Sequence, residues 1–282
     1  MNGFLYCAYS QNGEPNDYFY DEFLVSYSSL KKVLPKSKVA LYTNIKFNED
    51  LDIDYVLYDK NIDKRLICKA HGLLKSPIDK TIFLDTDTLI HRALINKAFD
   101  ILDEFSFTCC YDGGTTSGTI NGQDFGSGTI FPDLNTGVLG ANKKPKTNKM
   151  IKKWIKYFNE YKKENYPQAQ NDQLAFMRIF LENKREFHIL PPYLNWRWAI
   201  SSDYHRQATI SHDRWNGGIL PDRQPVATTK AIAARYLVNI GFPEGLVQEF
   251  LTQSEASAQF EENMKSGKRI FGPEPRGWDE TP

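Results

Sequence analysis

The run Thr81-Ile82-Phe83-Leu84-Asp85-Thr86-Asp87-Thr88 constrains this chain more than any other stretch of its 282 residues. Four residues of strand-forming character give way at once to two carboxylates separated by one residue. A strand apolar on both faces belongs inside a parallel sheet covered by helices. Acids at its carboxyl end then fall where open α/β sheets bind their ligands. Two carboxylates there suit a hard divalent cation, Mg²⁺ or Mn²⁺, that bridges phosphates. A turn carrying two solvated aspartates is the plainer alternative.

The surrounding pattern supports such a sheet. Residues 3–8 read as a buried first strand. Residues 17–34 read as a helix, with Tyr20, Phe23, Leu24, Tyr27, Leu30 and Leu34 at helical spacing and Pro35 as the stop. Strands are expected at 38–42 and 55–58, and an amphipathic helix on Leu66, Ala70, Leu73 and Leu74. A helix near 95–104 and a strand at 105–111 follow. The glycine-rich stretch from Gly113 to Gly128 reads as a long loop, functional or disordered. A strand at 137–139 precedes a helix with Ile151, Trp154, Ile155, Phe158 and Tyr161 on one face. Asn171-Asp172-Gln173 opens another helix, and strands are expected at 187–190 and 209–212. Strand and helix alternate, which is the α/β signature. The main domain is expected over 1–222. Residues 230–240 and 246–264 read as helices of a C-terminal helical appendage over 223–266, and 267–282 as a disordered tail.

Lys+Arg and Asp+Glu both number 35, so the basic excess of nucleic-acid binders is missing and no nucleic-acid partner is expected. No run reaches the roughly 20 apolar residues that span a bilayer, and residues 3–8 lack a basic leader. Cys7, Cys109 and Cys110 fall in apolar strand patterns, and with Cys68 they show no metal-site spacing. Reduced thiols and a cytoplasmic location are the expectation.

Taken in order, several segments resemble the GT-A glycosyltransferases related to glycogenin and the family 8 enzymes. They are Ser29-Leu30-Lys31 closing the first helix, Lys69-Ala70-His71, the octet with Leu89, and Asn135-Thr136-Gly137-Val138. Asn171-Asp172-Gln173, Leu190-Pro191-Pro192-Tyr193-Leu194-Asn195 and Ile210-Ser211-His212 continue the series, so the resemblance runs from about Phe4 to His212. It implies a GT-A-like (Rossmann-like) α/β/α sandwich around a mostly parallel central sheet. The implied activity is metal-dependent transfer of a sugar from a nucleoside-diphosphate sugar to a carbohydrate or protein acceptor; the resemblance favours retention, and an inverting course with Asp172 as general base is the alternative. The donor would be a UDP-sugar rather than a GDP-sugar, and the cofactor Mn²⁺ (or Mg²⁺).

The resemblance also implies roles. Asp85 would touch ribose and metal, Asp87 would chelate, and His212 would be a third ligand. Lys69 and Thr86 would lie on the donor side, and Asn135 where a sugar rests. Asp172 would meet sugar hydroxyls, with Gln173 near the reacting carbon. The base would lie near Ala8, Tyr9 and Ser10, with Asp59 after a later strand. Each has a bland counterpart: a surface or core histidine at 212, an exposed helix lysine at 69, an N-cap at Asp172, a core Tyr9. Tyr193, Trp196 and Trp198 would stack on a sugar or pack beneath the site. The chain departs from the family after His212, where Asp213-Arg214 stands in place of a glycine and a diphosphate-binding lysine; Arg214, Arg223 and Lys230 are candidate replacements.

Two alternatives belong to other classes. The octet also resembles the nucleophile strand of haloacid-dehalogenase-type phosphatases, in which Asp85 and Asp87 would act, although Thr88 stands where a glycine is expected. A non-catalytic sugar- or protein-binding module on the same fold is the other. The C-terminal helices would either pair subunits of a homo-oligomer or pack on the main domain.

Overall fold

The apolar runs pair edge to edge into one sheet, and the amphipathic helices cover both of its faces. A computed structural model of the chain describes residues 1–10, 18–46, 51–63, 65–111, 119–120, 123–124, 134–163, 172–196 and 208–212. The expected appendage and tail lie outside the described residues. The strands are β1 (Asn2–Ala8), β2 (Val39–Thr43), β3 (Tyr55–Tyr58), β4 (Lys80–Leu84), β5 (Thr88–Ile90), β6 (Phe107–Tyr111), β7 (Thr119–Ile120), β8 (Gln123–Asp124), β9 (Leu134–Asn142), β10 (Phe187–Leu190) and β11 (Ile210–His212). The α-helices are α1 (Tyr18–Val33), α2 (Cys68–Lys75), α3 (Ala98–Ile101), α4 (Pro145–Lys163) and α5 (Gln173–Glu182).

Among the described residues the main sheet has seven strands in the order β10-β6-β9-β4-β1-β2-β3. β1 pairs parallel with β2 and β4, β2 with β3, and β6 with β10. β9 alone in this sheet runs antiparallel, between β4 and β6. Chain order departs from β1 in both directions, toward β2 on one side and β4 on the other. That reversal opens a crevice at the carboxyl ends of β1 and β4.

The sheet separates two cores. Along β1, Phe4, Tyr6 and Ala8 face α1 and meet Tyr20, Phe23, Tyr27 and Leu30. Leu5 and Cys7 face the other way, into a core built with Ala70, Leu73, Ile151, Trp154, Phe158 and Phe176 from α2, α4 and α5. This period of two with no polar member is what burial on both faces requires. All four cysteines are buried and free. Among the described residues no helix is long and apolar enough to cross a membrane.

Three elements differ from the sequence expectation. β9 covers Leu134–Asn142, not the three residues 137–139, and every position in it is buried. Its polar residues disguise it, yet their needs are met locally. The Asn142 amide donates to the carbonyls of Leu102 (3.0 Å) and Phe105 (2.8 Å) and accepts from the Lys144 N–H (3.2 Å). A Cβ on Gly140 would lie 2.3 Å from Thr108 Cγ2, so a larger residue there would have to displace the Thr108 side chain. The helix expected near 95–104 is a 3₁₀ turn, Ala93–Lys97, followed by one α turn, α3; Asn142 gathers the carbonyls just beyond it. Finally, β5 is an additional strand. It forms a two-stranded sheet with β11 beside the main one. Part of the glycine-rich stretch, β7 and β8, forms a short antiparallel ribbon.

Trp154 anchors the core under the α4–α5 pair. It is fully buried, packs on Phe176 with ring centroids 4.7 Å apart, and donates its indole N–H to the Asp172 carbonyl at 3.0 Å. Trp154→Ala is expected to lower the unfolding free energy by about 3–5 kcal/mol, the usual cost of emptying a buried aromatic site, as read from urea titration.

Candidate functional site

The carboxylates of the octet are set by a turn that joins β4 to β5. The Asp85 N–H donates to the Gly137 carbonyl (2.7 Å), which ties the turn to β9. The Asp85 carbonyl accepts from the Thr88 hydroxyl (2.8 Å) and more weakly from its N–H (3.3 Å). Thr88 Oγ1 lies 2.8 Å from Ser26 Oγ, whose hydroxyl in turn donates to Tyr6 at 3.1 Å. The turn is thus tied to α1 and β1.

β5 then brings in a residue far away in sequence. Its pairing with β11 places His212 opposite Thr88. His212 Nε2 lies 3.3 Å from Asp87 Oδ1 and 3.5 Å from Asp85 Oδ2. One ligand atom from each of Asp85, Asp87 and His212 lies within 4.8 Å of the others. β11 is held from its other side by Trp196, whose N–H donates to Ile210 O and whose carbonyl accepts from the His212 N–H, both at 2.8 Å. His91 Nε2 lies 2.8 Å from Ser211 Oγ and closes a further link between the two short strands. Two carboxylates facing an imidazole nitrogen form a donor set that fits Mn²⁺ or a similar divalent cation.

Behind the turn lies a buried ion cluster. Lys69 on α2 is 3% exposed. Its ammonium lies 3.2 Å from Asp85 Oδ1, 3.2 Å from Thr136 Oγ1 and 3.7 Å from Asp172 Oδ1. Burial alone would lower the Lys69 pKa, but Asp172 and Asp85 outweigh it and raise the value, so the ammonium stays charged. Burial pushes the Asp172 carboxyl up, with the Lys69 charge opposing and the nearby Asp85 adding to the rise. The Asp172 side chain makes no cap bond to α5. It accepts instead from the Thr136 hydroxyl at 2.9 Å. Gln173, the next residue, donates its amide to the Leu134 carbonyl at 3.1 Å. The start of β9 therefore touches all of these groups.

Asn135 is buried there and accepts from the Gly137 N–H at 2.8 Å. The same oxygen accepts from Asn195 Nδ2 (2.8 Å), and Asn195 Oδ1 lies 2.8 Å from His212 Nδ1. Gly137 sits in the middle of this arrangement. A Cβ at that position would come within 2.2 Å of His212 Cε1 and 2.7 Å of Asp85 Oδ2.

The remaining expected residues fall nearby or elsewhere. Ala8 ends β1 and Tyr9 follows it, with their side chains in opposite cores. Ser10 and Asn44 form a reciprocal pair, Ser10 N–H to Asn44 Oδ1 and Asn44 Nδ2 to Ser10 O, each 2.9 Å. Thr86 donates to Glu22 at 3.0 Å, on the α1 side. Asp59 is bound by Lys75 and by the Tyr42 hydroxyl (2.7 Å); Lys75, Tyr42 and the Asn61 N–H together hold its pKa down at about 2. Trp196 is buried beneath the site, and Tyr193 packs against the α1 core. Asn171, Trp198, Arg214, Arg223 and Lys230 lie outside the described residues. Sequence reading gave no role to Asn195 or His91. Asn195 had a signal, as the polar residue closing the Leu190–Asn195 motif; His91 had none.

Two outcomes follow from this geometry. Gly137→Ala is expected to displace His212, read as a shift of its imidazole NMR signals, while far-UV circular dichroism stays that of the wild type. His91 is buried and its pKa is lowered from 6.5 to about 3, by burial first and then by Arg92. Between these values the unfolded chain binds a proton that the folded chain does not, so stability rises with pH across that window. The stability of the wild type relative to His91→Gln should be constant above about pH 6.5 and fall steadily toward pH 3.

No family model matches the sequence, and neither does any curated protein. Among solved structures the chain is similar to mouse xyloside xylosyltransferase 1 in its apo form, with a TM-score of 0.51 and 15% identity over 78% of this chain and 100% of that one. It is similar to the glycosyltransferase GlyE of Streptococcus pneumoniae TIGR4, at a TM-score of 0.55 and 14% identity over 96% and 67%. It is also similar to the bifunctional glycosyltransferase WbbM, at a TM-score of 0.52 and 11% identity over 89% and 51%. At such identities the likeness is one of fold. The chain has the α/β fold of these GT-A glycosyltransferase structures, with a mostly parallel central sheet between layers of helices.

Proposed function

We propose that this protein is a retaining glycosyltransferase akin to the family 8 enzymes, moving a sugar from a nucleoside-diphosphate donor with the help of a divalent cation. The observation that carries the reading is the convergence of Asp85, Asp87 and His212 within 4.8 Å at the carboxyl end of β4. A bound cation would neutralise the diphosphate as the bond to the sugar breaks. Asp85, Asp87 and His212 would hold it.

The other residues act around that centre. Lys69 keeps the ammonium of α2 buried beside Asp85, and orients that carboxylate. Asn135 and Gln173 present amides, which suit hydroxyl recognition, at the start of β9 and of α5. A general base must reach the acceptor hydroxyl. The carboxylate of Asp172 is instead engaged by Lys69 and Thr136, which favours retention over an inverting course. The donor base would rest by the end of β1, where the Ser10–Asn44 pair fixes the backbone, with the UDP form preferred. Four buried, free cysteines fit a reducing, cytoplasmic setting.

The fold likeness supports sugar transfer over the phosphatase reading, because the relatives in fold are glycosyltransferases. Thermal unfolding with UDP or GDP, with Mn²⁺ or chelator, tests both. A nucleotide at a hundred times its dissociation constant adds about 2.7 kcal/mol. The expected result is a Mn²⁺-dependent upward shift with UDP that is lost in Asp87→Ala. Absence of any nucleotide shift, together with labelling of Asp85 by a phosphoryl donor, would replace the transferase by the phosphatase.

A further inference from the structure

The hydrogen bonds that lead from Gly137 to His212 have only one consistent direction. A backbone N–H can only donate, so the Gly137 N–H assigns the acceptor end of the Asn135 amide, 2.8 Å away. That oxygen is also 2.8 Å from Asn195, so Asn195 must turn its NH₂ group toward it. The carbonyl end of Asn195 is then left facing His212 Nδ1 at 2.8 Å. An amide oxygen only accepts, so Nδ1 carries the hydrogen. In the neutral ring the lone pair is on Nε2, the nitrogen that faces Asp85 and Asp87. All three side chains of this relay are buried.

We propose that Asn195 is a positioning residue that selects the Nδ1–H tautomer of His212 and so presents Nε2 as a ligand. The inference rests on the reading that Asp85, Asp87 and His212 hold a divalent cation. Its physical content is a competition. Two carboxylates within 3.5 Å of Nε2 attract a hydrogen onto that nitrogen, where it would block coordination. The relay supplies a fixed acceptor on the opposite side of the ring and keeps the hydrogen there. Partners of this kind set both tautomer and orientation of a metal-facing imidazole, and their loss typically costs 10–100-fold in metal affinity.

The test reads tautomer and metal separately. Long-range ¹H–¹⁵N correlation spectra of metal-free protein near pH 9, above the ordinary imidazole range, identify the protonated nitrogen, with His212→Gln assigning the signal. Wild type is expected to show Nδ1–H, and Asn195→Leu to move the hydrogen to Nε2. Calorimetric Mn²⁺ titration should show about a 10–100-fold loss in Asn195→Leu. Asn195→Asp keeps an acceptor opposite Nδ1 but turns an oxygen toward the Asn135 oxygen, so it should lose clearly less affinity than Asn195→Leu. An Nε2–H signal in the wild type overturns the proposal, as does an equal loss of affinity in both variants. If Asn195→Leu does not fold, the wild-type spectrum decides alone. A wild type that shows Nδ1–H but takes up no Mn²⁺ sinks the cation reading and leaves the tautomer assignment standing.

Discussion

A buried cation shared between two carboxylates governs the end of the sheet where the crevice opens. Asp85 and Asp172 are gathered there around the buried ammonium of Lys69, and Asp87 lies beside Asp85. Buried carboxylates are tolerated only with paired charge and satisfied hydrogen bonds. Lys69 serves Asp85 and Asp172 at once, and Thr136 completes Asp172. Asp87 faces the imidazole of His212. The elements that meet here are fixed by these needs: α2 delivers the lysine, β9 the hydroxyl, α5 the second acid and β11 the imidazole.

How much of this could be read from sequence depended on how each element earns its burial. The strands β1 and β4 are apolar throughout their centres, and α1 and α4 carry their apolar residues at helical spacing, so their patterns survive inspection. β9 is equally buried but is written with asparagine, threonine and glycine, because it passes through the polar site at one end and against Thr108 and the α3 turn at the other. β5 is three residues long and follows the acids so closely that it reads as part of their turn. Its partner β11 is near it only through folding. Pattern reading has no access to such long-range pairing.

The candidate site divides the same way. Asp85 and Asp87 announce themselves by adjacency to a strand, and Lys69, Asp172 and His212 entered through resemblance to a family. Proximity of all five is a property of the fold alone. The choice between a capping and an inward role for Asp172 turns on a side-chain direction that its place at a helix start does not reveal, and the observed direction is inward. Asn195 and His91 lie in contact with Asn135 and Ser211 across gaps of 60 and 120 residues. Their significance comes from the pairing of β11 with β5 on one side and with Trp196 on the other.

The pairing of β6 with β9 has a wider consequence. β6 ends at Tyr111 and β9 begins at Leu134, and these two residues are partners in the ladder. Whatever the chain carries between them leaves the sheet and returns to it at a single point, one residue from Asn135. Closing a longer or shorter excursion between fixed ends changes the free energy only slowly, by about 0.6 kcal/mol per doubling of length. The seven-stranded frame is therefore insulated from the content of that segment. An insertion or deletion between these two residues is a change that evolution or an engineer can make at small cost to the frame, because its ends are neighbours in the ladder whatever joins them.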